Sequence, residues 1–368
     1  MALSSLSNGN KLNVAAVQTV VPTKPTDPRE SFRVTVPHNL SSTGILRRRF
    51  HVVFCYNKAG DEDSGWVVAG RIKESLGRAL QEQPLLAGRL RRRGDSGGDL
   101  EVVSNDSGVR LVEASVELKL ADFLESKDKN DAEAELVFWE DFTEHNPQFS
   151  PLFYVQVTNF ICGGYSIGIS CSLLLVDPFI LSNFLKRWAD IHNTMFSRTD
   201  LPEFPTFYLP KLRKPGSSPG LQMGSNVRKN AAQTVIFKLP KKIFEFDDDN
   251  VHKNLAALCI DEAEREVAAK MASNFSLVVK APFEDAKVEI CSRQEGLESS
   301  AGNIVVSGLS CARTWDELGL ENICLNEGKK PVRVSCWINA VVDEGCVMII
   351  PPSDEKSNVG LKIIVSFT

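Results

Sequence analysis

Between Cys171 and Asp177 the chain places a thiol, a hydroxyl at Ser172 and a carboxylate within one short stretch, where a strand-like run gives way to a helical one. A thiol or hydroxyl attacks a carbonyl carbon efficiently only when a neighbour takes its proton. The histidines available for that task are His38, His51, His145, His192 and His252, and none of them has an aspartate four residues later. Strand alternation turns Ser172 to the opposite face from Leu173 and sets Cys171 on the Leu173 face. A cysteine so placed packs as core, and Ser172 has no partner that would make it a nucleophile. Asp177 followed by Pro178 reads as a helix N-cap with the favoured first-turn proline. Other groupings are weaker. The nine cysteines run from Cys55 to Cys346 without a Cys-x-x-Cys pair, which argues against a zinc site and a disulfide framework. FEFDDDN, from Phe244 to Asn250, has three consecutive aspartates but no spaced ligands around a glycine turn, so it reads as an acidic loop and no metal is expected. The basic runs LRRRF (Leu46 to Phe50) and RLRRRG (Arg89 to Gly94) have the charge to meet the phosphates of coenzyme A or an anionic lipid, and their simplest reading is solvated surface.

The elements that must hold these residues follow from periodicity. Tyr165, Ile167, Ile169 and Cys171 alternate as in a buried strand. After Asp177, Leu181, Phe184, Leu185, Trp188 and Ile191 recur at three- and four-residue spacing on one helical face. Val68, Ile72, Leu76 and Leu80 form a second helical stripe, which Pro84 is expected to stop. HVVFCYN, LEVVSN and FYVQVTNF read as strands in the first half. TVIFKLP, FSLVVKA, AKVEICS, VRVSCWINAV, CVMIIPP and GLKIIVSFT do so in the second, with a helix expected over about Asp261 to Ala272. Five prolines between Ser197 and Asn230, with glycine and serine among them, predict an extended crossover.

With the elements in place, the segment from Ile161 to Ile191 resembles the HxxxD region of the plant BAHD acyltransferases, whose histidine lies four residues before the aspartate. Here that position is Leu173, Asp177 keeps the aspartate, and Pro178 stands where glycine usually follows. In the family the histidine is the general base that deprotonates an acceptor as it attacks an acyl-CoA thioester, and the aspartate is structural. IKESLGRALQEQPLLAGRL (Ile72 to Leu90), NDSGVRLVEASVE (Asn105 to Glu117) and FSPLFYVQVTNFICGG (Phe149 to Gly164) match further family segments in order. The family's DFGWG loop is reduced to ENICLNEGKKPVRVS (Glu321 to Ser335), which keeps Gly328 and Pro331 but loses the Asp-Phe and the Trp. This resemblance implies an α/β fold of two chloramphenicol-acetyltransferase-like domains, each a mixed sheet with flanking helices. Residues 1–196 would form the first, 197–230 the crossover, and 231–368 a second domain shortened between Ile243 and Ser276 and again before Gly308. Within the family the likeness is to the eceriferum and Glossy branch, whose members support very-long-chain fatty acid elongation for cuticular wax.

Composition sets the outer bounds. A chain of 368 residues with 43% hydrophobic and 24% charged residues is ordinary globular material for two domains. A net charge of −5 gives no reason to expect nucleic acid as a partner. An odd number of scattered cysteines points to a reducing compartment. The start lacks the features of a secretory signal, and no run reaches the length of a membrane span, so the expectation is a cytoplasmic monomer, held at the endoplasmic reticulum by a partner. Taken together, the resemblance and Leu173 imply an accessory factor of an elongase condensing enzyme, with no bound cofactor. Two alternatives stay open. One is a CoA-dependent acyltransferase moving an acyl group from acyl-CoA to a hydroxyl or amine, and the other is a small-acid lyase or metabolite-binding protein on the same fold.

Overall fold

The computed structural model describes residues 12–36, 44–58, 65–93, 100–127, 129–142, 146–196, 229–240, 249–293, 309–325, 329–352 and 359–368. The first half contains β1 (Leu12–Val20), β2 (Ser31–Thr35), β3 (Arg49–Tyr56), α1 (Gly65–Ala79), β4 (Arg89–Arg92), β5 (Leu100–Val103), β6 (Val109–Val116), α2 (Leu120–Glu125), α3 (Lys129–Ala132), β7 (Phe153–Phe160), β8 (Tyr165–Ser172) and α4 (Pro178–Phe196). The second contains β9 (Thr234–Pro240), α5 (Asp249–Val267), β10 (Asn274–Lys280), β11 (Ala286–Ser292), β12 (Ser310–Ala312), β13 (Arg333–Ile338), β14 (Gly345–Ile350) and β15 (Val359–Ser366). The expected crossover, apart from its last residues, lies outside the described residues, as do most of FEFDDDN, Gly328, His38 and His145.

Two mixed sheets organise the molecule. One has six strands in the order β1-β6-β7-β8-β3-β13, the other nine in the order β12-β9-β15-β14-β10-β11-β2-β5-β4. Parallel pairs occur at β6–β7, β10–β14 and β11–β2, and the remaining neighbours run antiparallel. The sheets trade strands across the crossover. β13 from the second half lies beside β3 in the first sheet, and β2, β5 and β4 from the first half complete one end of the second.

Alternation then decides which face is buried against what. Phe50, Val52 and Phe54 of β3, Ile167, Ile169 and Cys171 of β8, and the apolar stripes of α1 and α4 share one core with Val278, Met348 and Ile364 of the second sheet. The other face of that second sheet, with Phe275, Leu277 and Val347, packs on α5 through Leu255, Cys259 and Ile260. On the opposite face of the first sheet the segment from Glu133 to Leu136 comes so close that a Cβ at Gly168 would collide with the Leu136 carbonyl.

Three expectations are corrected. α1 ends at Ala79, before Pro84, because the N–H groups of Gln81 and Glu82 bond back three residues, to Arg78 and Ala79, and tighten the chain out of the helix. α5 begins at Asp249, well before Asp261, and ends at Val267. The LRRRF run is not solvated surface, since Arg48 and Arg49 are 0% and 1% exposed. Arg49 stacks over Trp139 at 5.1 Å and donates to the Glu140 carbonyl at 2.7 Å. Arg89 is also buried, bonded to the carbonyls of Gly88, Ser107 and Gly108.

Candidate functional site

The junction of β8 and α4 is a tight turn built from its own backbone. The N–H groups of Leu175 and Val176 both bond to the Ser172 carbonyl, at 3.0 and 3.3 Å, and Leu173 N–H bonds to the Arg48 carbonyl at 3.1 Å. Ser172 is occupied in the same turn, where its hydroxyl accepts the Leu174 N–H at 3.3 Å. Asp177 caps α4 through Oδ1, which accepts the N–H groups of Phe179 (2.8 Å) and Ile180 (3.1 Å). Burial pushes its carboxyl above the ordinary value, while those two N–H bonds and the charges of Lys280 and Lys362 pull it down. Among the described residues it makes no ion pair with an arginine.

Leu173 is 1% exposed and belongs to the core shared by both sheets. Its aliphatic side chain neither donates nor accepts a hydrogen bond. Cys171 lies on the same face, and burial lifts its thiol to about 12, so it stays protonated at neutral pH. The described imidazoles lie elsewhere. His51 pairs with Ser170 and therefore faces the opposite side of the sheet, against Trp337 at 5.1 Å. Burial, followed by the charge of Arg49, drives it down to about 3. His192 sits near the far end of α4, 2.9 Å from the Ser75 hydroxyl, and burial likewise takes it to about 3. His252 is on α5 beside Leu277 and Val279, across the second sheet.

Lys280 is the residue that sequence reasoning missed. It ends β10 on the parity of Ser276 and Val278, the side that faces the shared core, and is 3% exposed. Its ammonium nitrogen donates to the carbonyls of Leu174 and Leu175, the latter at 2.5 Å, and lies 4.3 Å from the Phe32 ring centre. Burial brings its pKa down to about 7 against the opposing pull of Asp177 and Cys171. The signal available in FSLVVKA was a lysine at an inward-facing strand position, where an unpaired charge is costly. The turn after β8 is thus clamped by a cation from the second sheet.

The described part of Glu321 to Ser335, the segment expected to correspond to the second motif, lies elsewhere. Ile323 and Leu325 are buried, the Tyr56 hydroxyl donates to the Ile323 carbonyl at 2.9 Å, and Asn193 Nδ2 donates to the Cys324 carbonyl at 2.8 Å. These contacts tie it to the end of β3 and the last turns of α4. No group of three or more histidine, cysteine or acidic side chains suited to a metal occurs among the described residues.

A model of the Transferase family matches residues 10–285 of the chain, a range that includes the turn between β8 and α4. The chain belongs to the BAHD acyltransferase family. Protein ECERIFERUM 26-like of Arabidopsis thaliana is 35% identical over 123 residues, 32% of this chain and 27% of that protein. Protein ECERIFERUM 2 of the same plant is 30% identical over 162 residues, 42% and 38% of the two chains. A hydroxycinnamoyltransferase of Narcissus pseudonarcissus is 29% identical over 185 residues, 49% of this chain and 39% of that one. Each match therefore spans well under half of the relative's length. The crystal structure of vinorine synthase aligns with a TM-score of 0.49 at 16% identity, over 97% of this chain and 95% of that one. No described helix is long and apolar enough to cross a membrane.

Proposed function

We propose that this BAHD protein performs no acyl transfer at the β8–α4 turn and serves as an accessory factor of a fatty acid elongase condensing enzyme, in very-long-chain fatty acid and cuticular wax biosynthesis. The observation that carries the reading is the burial of the aliphatic Leu173 on a turn whose carbonyls are held by Lys280, Leu173 being the residue that the HxxxD resemblance sets at the general-base position. A positioned general base contributes on the order of 100- to 10,000-fold in rate, and no described imidazole faces this turn. The two ECERIFERUM relatives support the link to wax.

The test is the fatty-acid profile of cells expressing a plant condensing enzyme with and without this chain. Longer acyl chains in its presence are expected, unchanged when Leu173 is replaced by another apolar residue such as methionine. An unaltered profile beside a demonstrably active condensing enzyme would overturn the reading.

A second reading, CoA-dependent transfer to a hydroxyl or amine, draws on the likeness to the Narcissus hydroxycinnamoyltransferase over 185 residues. Orientation of two bound substrates alone lowers a barrier by several kcal/mol. It requires acceptor-dependent release of free CoA from an acyl-CoA by the wild-type chain, and the accessory reading expects none above background.

A further inference from the structure

At the outer end of the nine-stranded sheet the described residues gather several arginines. There β2, β5 and β4 lie side by side with β4 outermost. Arg33, Arg91, Arg92 and Arg93, with Glu101 and Asp285, line an open groove of about 670 Å³. Among the described lining residues four guanidinium groups stand with two carboxylates, in a chain of net charge −5. Both carboxylates are engaged locally. Glu101 pairs with Arg91 at 2.5 Å, and Asp285 accepts the Arg33 backbone N–H at 2.7 Å. Phe32 contributes to the groove wall, and the Lys280 ammonium lies behind its ring.

A second, independent feature lies against β4, the strand that carries Arg91 and Arg92 of the groove. Phe149 is 74% exposed, the most exposed aromatic side chain among the described large hydrophobic residues. It ends a short turn, Pro147–Phe149, that packs against β4. The antiparallel bridge between Arg89 and Pro151 fastens the segment that follows this turn to β4. Charged side chains on an outermost strand commonly serve to block pairing with another sheet. That role accounts for arginines on β4. It does not account for Arg33, which is on an interior strand, and an exposed phenylalanine beside the edge works against it.

We propose that this groove and Phe149 form a docking surface for an anionic phospholipid bilayer. The arginines meet the lipid phosphates, where guanidinium forks bond well, and the Phe149 ring enters the boundary between headgroups and acyl chains. Attraction of this face to such a surface sets the orientation of the bound protein.

The experiment is co-sedimentation of the full chain with phosphatidylcholine vesicles and with vesicles in which about a third of the lipid is phosphatidylserine. Binding is expected to the anionic vesicles only and to weaken with added salt. Arg33→Gln with Arg93→Gln should reduce affinity roughly fivefold per arginine, about 25-fold together. Phe149→Ser should weaken binding while preserving its salt dependence. All of these side chains are exposed, so an unchanged unfolding midpoint serves as the folding control. Absence of anionic-vesicle binding by folded protein, or equal binding to both vesicle types, overturns the proposal. So does calorimetric binding of inorganic phosphate that the double substitution abolishes while vesicles stay unbound, because the groove would then be a site for a soluble phosphate ligand.

Discussion

Lys280 shows how one side chain governs the centre of this fold and how it leaves a thermodynamic trace. Its amine has a pKa of about 7 in the folded chain against an ordinary 10.5. Below about pH 7 both folded and unfolded chains hold the proton, and the cost of burying the charge is paid in full. Between these two values the unfolded chain binds more protons, so stability rises with pH across that window and levels off above it. Replacing the lysine with methionine removes the group that titrates. The wild-type chain should therefore gain on the order of a few kcal/mol relative to Lys280→Met between about pH 7 and pH 10, measured as the difference of urea unfolding free energies. Titrations of groups remote from Lys280 occur in both proteins and cancel in that difference. A gap that stays flat with pH would show that Lys280 keeps an ordinary ammonium in the fold. At this scale the sequence was legible where chemistry is local. The capping role of Asp177 is written in the Asp-Pro pair, and the apolar nature of position 173 is plain. Lys280 was not legible as a partner of that turn, because its contact to Leu174 spans 106 positions of the chain.

Among the elements, the strands read correctly wherever β-branched and aromatic residues run together, as in β3, β7, β8, β9, β10, β14 and β15. β4, with arginine at three of its four positions, gave no such signal, and its strand character comes from pairing with β5. The early start of α5 escaped although Leu255, Cys259 and Ile260 already form an apolar stripe before Asp261, and those residues pack on the second sheet. One cluster shows how such elements are fastened. Glu133, which follows α3 and is buried, accepts from Lys229 (2.6 Å), Arg333 (2.7 Å) and the Ser335 hydroxyl (2.7 Å). It joins the segment covering the first sheet to β13 and to the end of the crossover. Burial alone would raise its carboxyl, but the bonds from Lys229, Ser335 and Arg333 hold it below the usual carboxylate value. Glu133→Gln keeps the shape and removes the charge, and should cost about 2 to 4 kcal/mol at neutral pH. With a lowered carboxylate pKa, that contribution is complete above the ordinary value of 4.5 and is lost as the pH falls through the folded one. The deficit of the glutamine variant, followed by urea unfolding, should therefore shrink on acidification. A deficit that grew with acid would contradict the ionised clasp.

The whole molecule is interlocked in a way that no run of residues announces, since strand order is a matter of which distant segments pair. A cut between residues 196 and 231 passes through both sheets. It leaves β3 without β13 on one side, and β11 without β2, β5 and β4 on the other. It also divides the shared core, in which Leu173, Phe184 and Trp188 of the first half pack in one cluster with Val278, Met348 and Ile364 of the second. Each half alone would expose an unpaired strand edge together with a broad apolar face, a combination that favours association over folding. Fragments 1–196 and 231–368, expressed separately, should therefore be insoluble or should lack a cooperative unfolding transition. When expressed together they should recover a folded complex, because the pairings that hold the halves are noncovalent and complementary. Far-ultraviolet circular dichroism during thermal unfolding of each fragment and of the co-purified pair gives the comparison. A cooperative transition in the isolated first fragment would mean that its sheet is stable without β13, and that the exchange of strands contributes little to holding the molecule together.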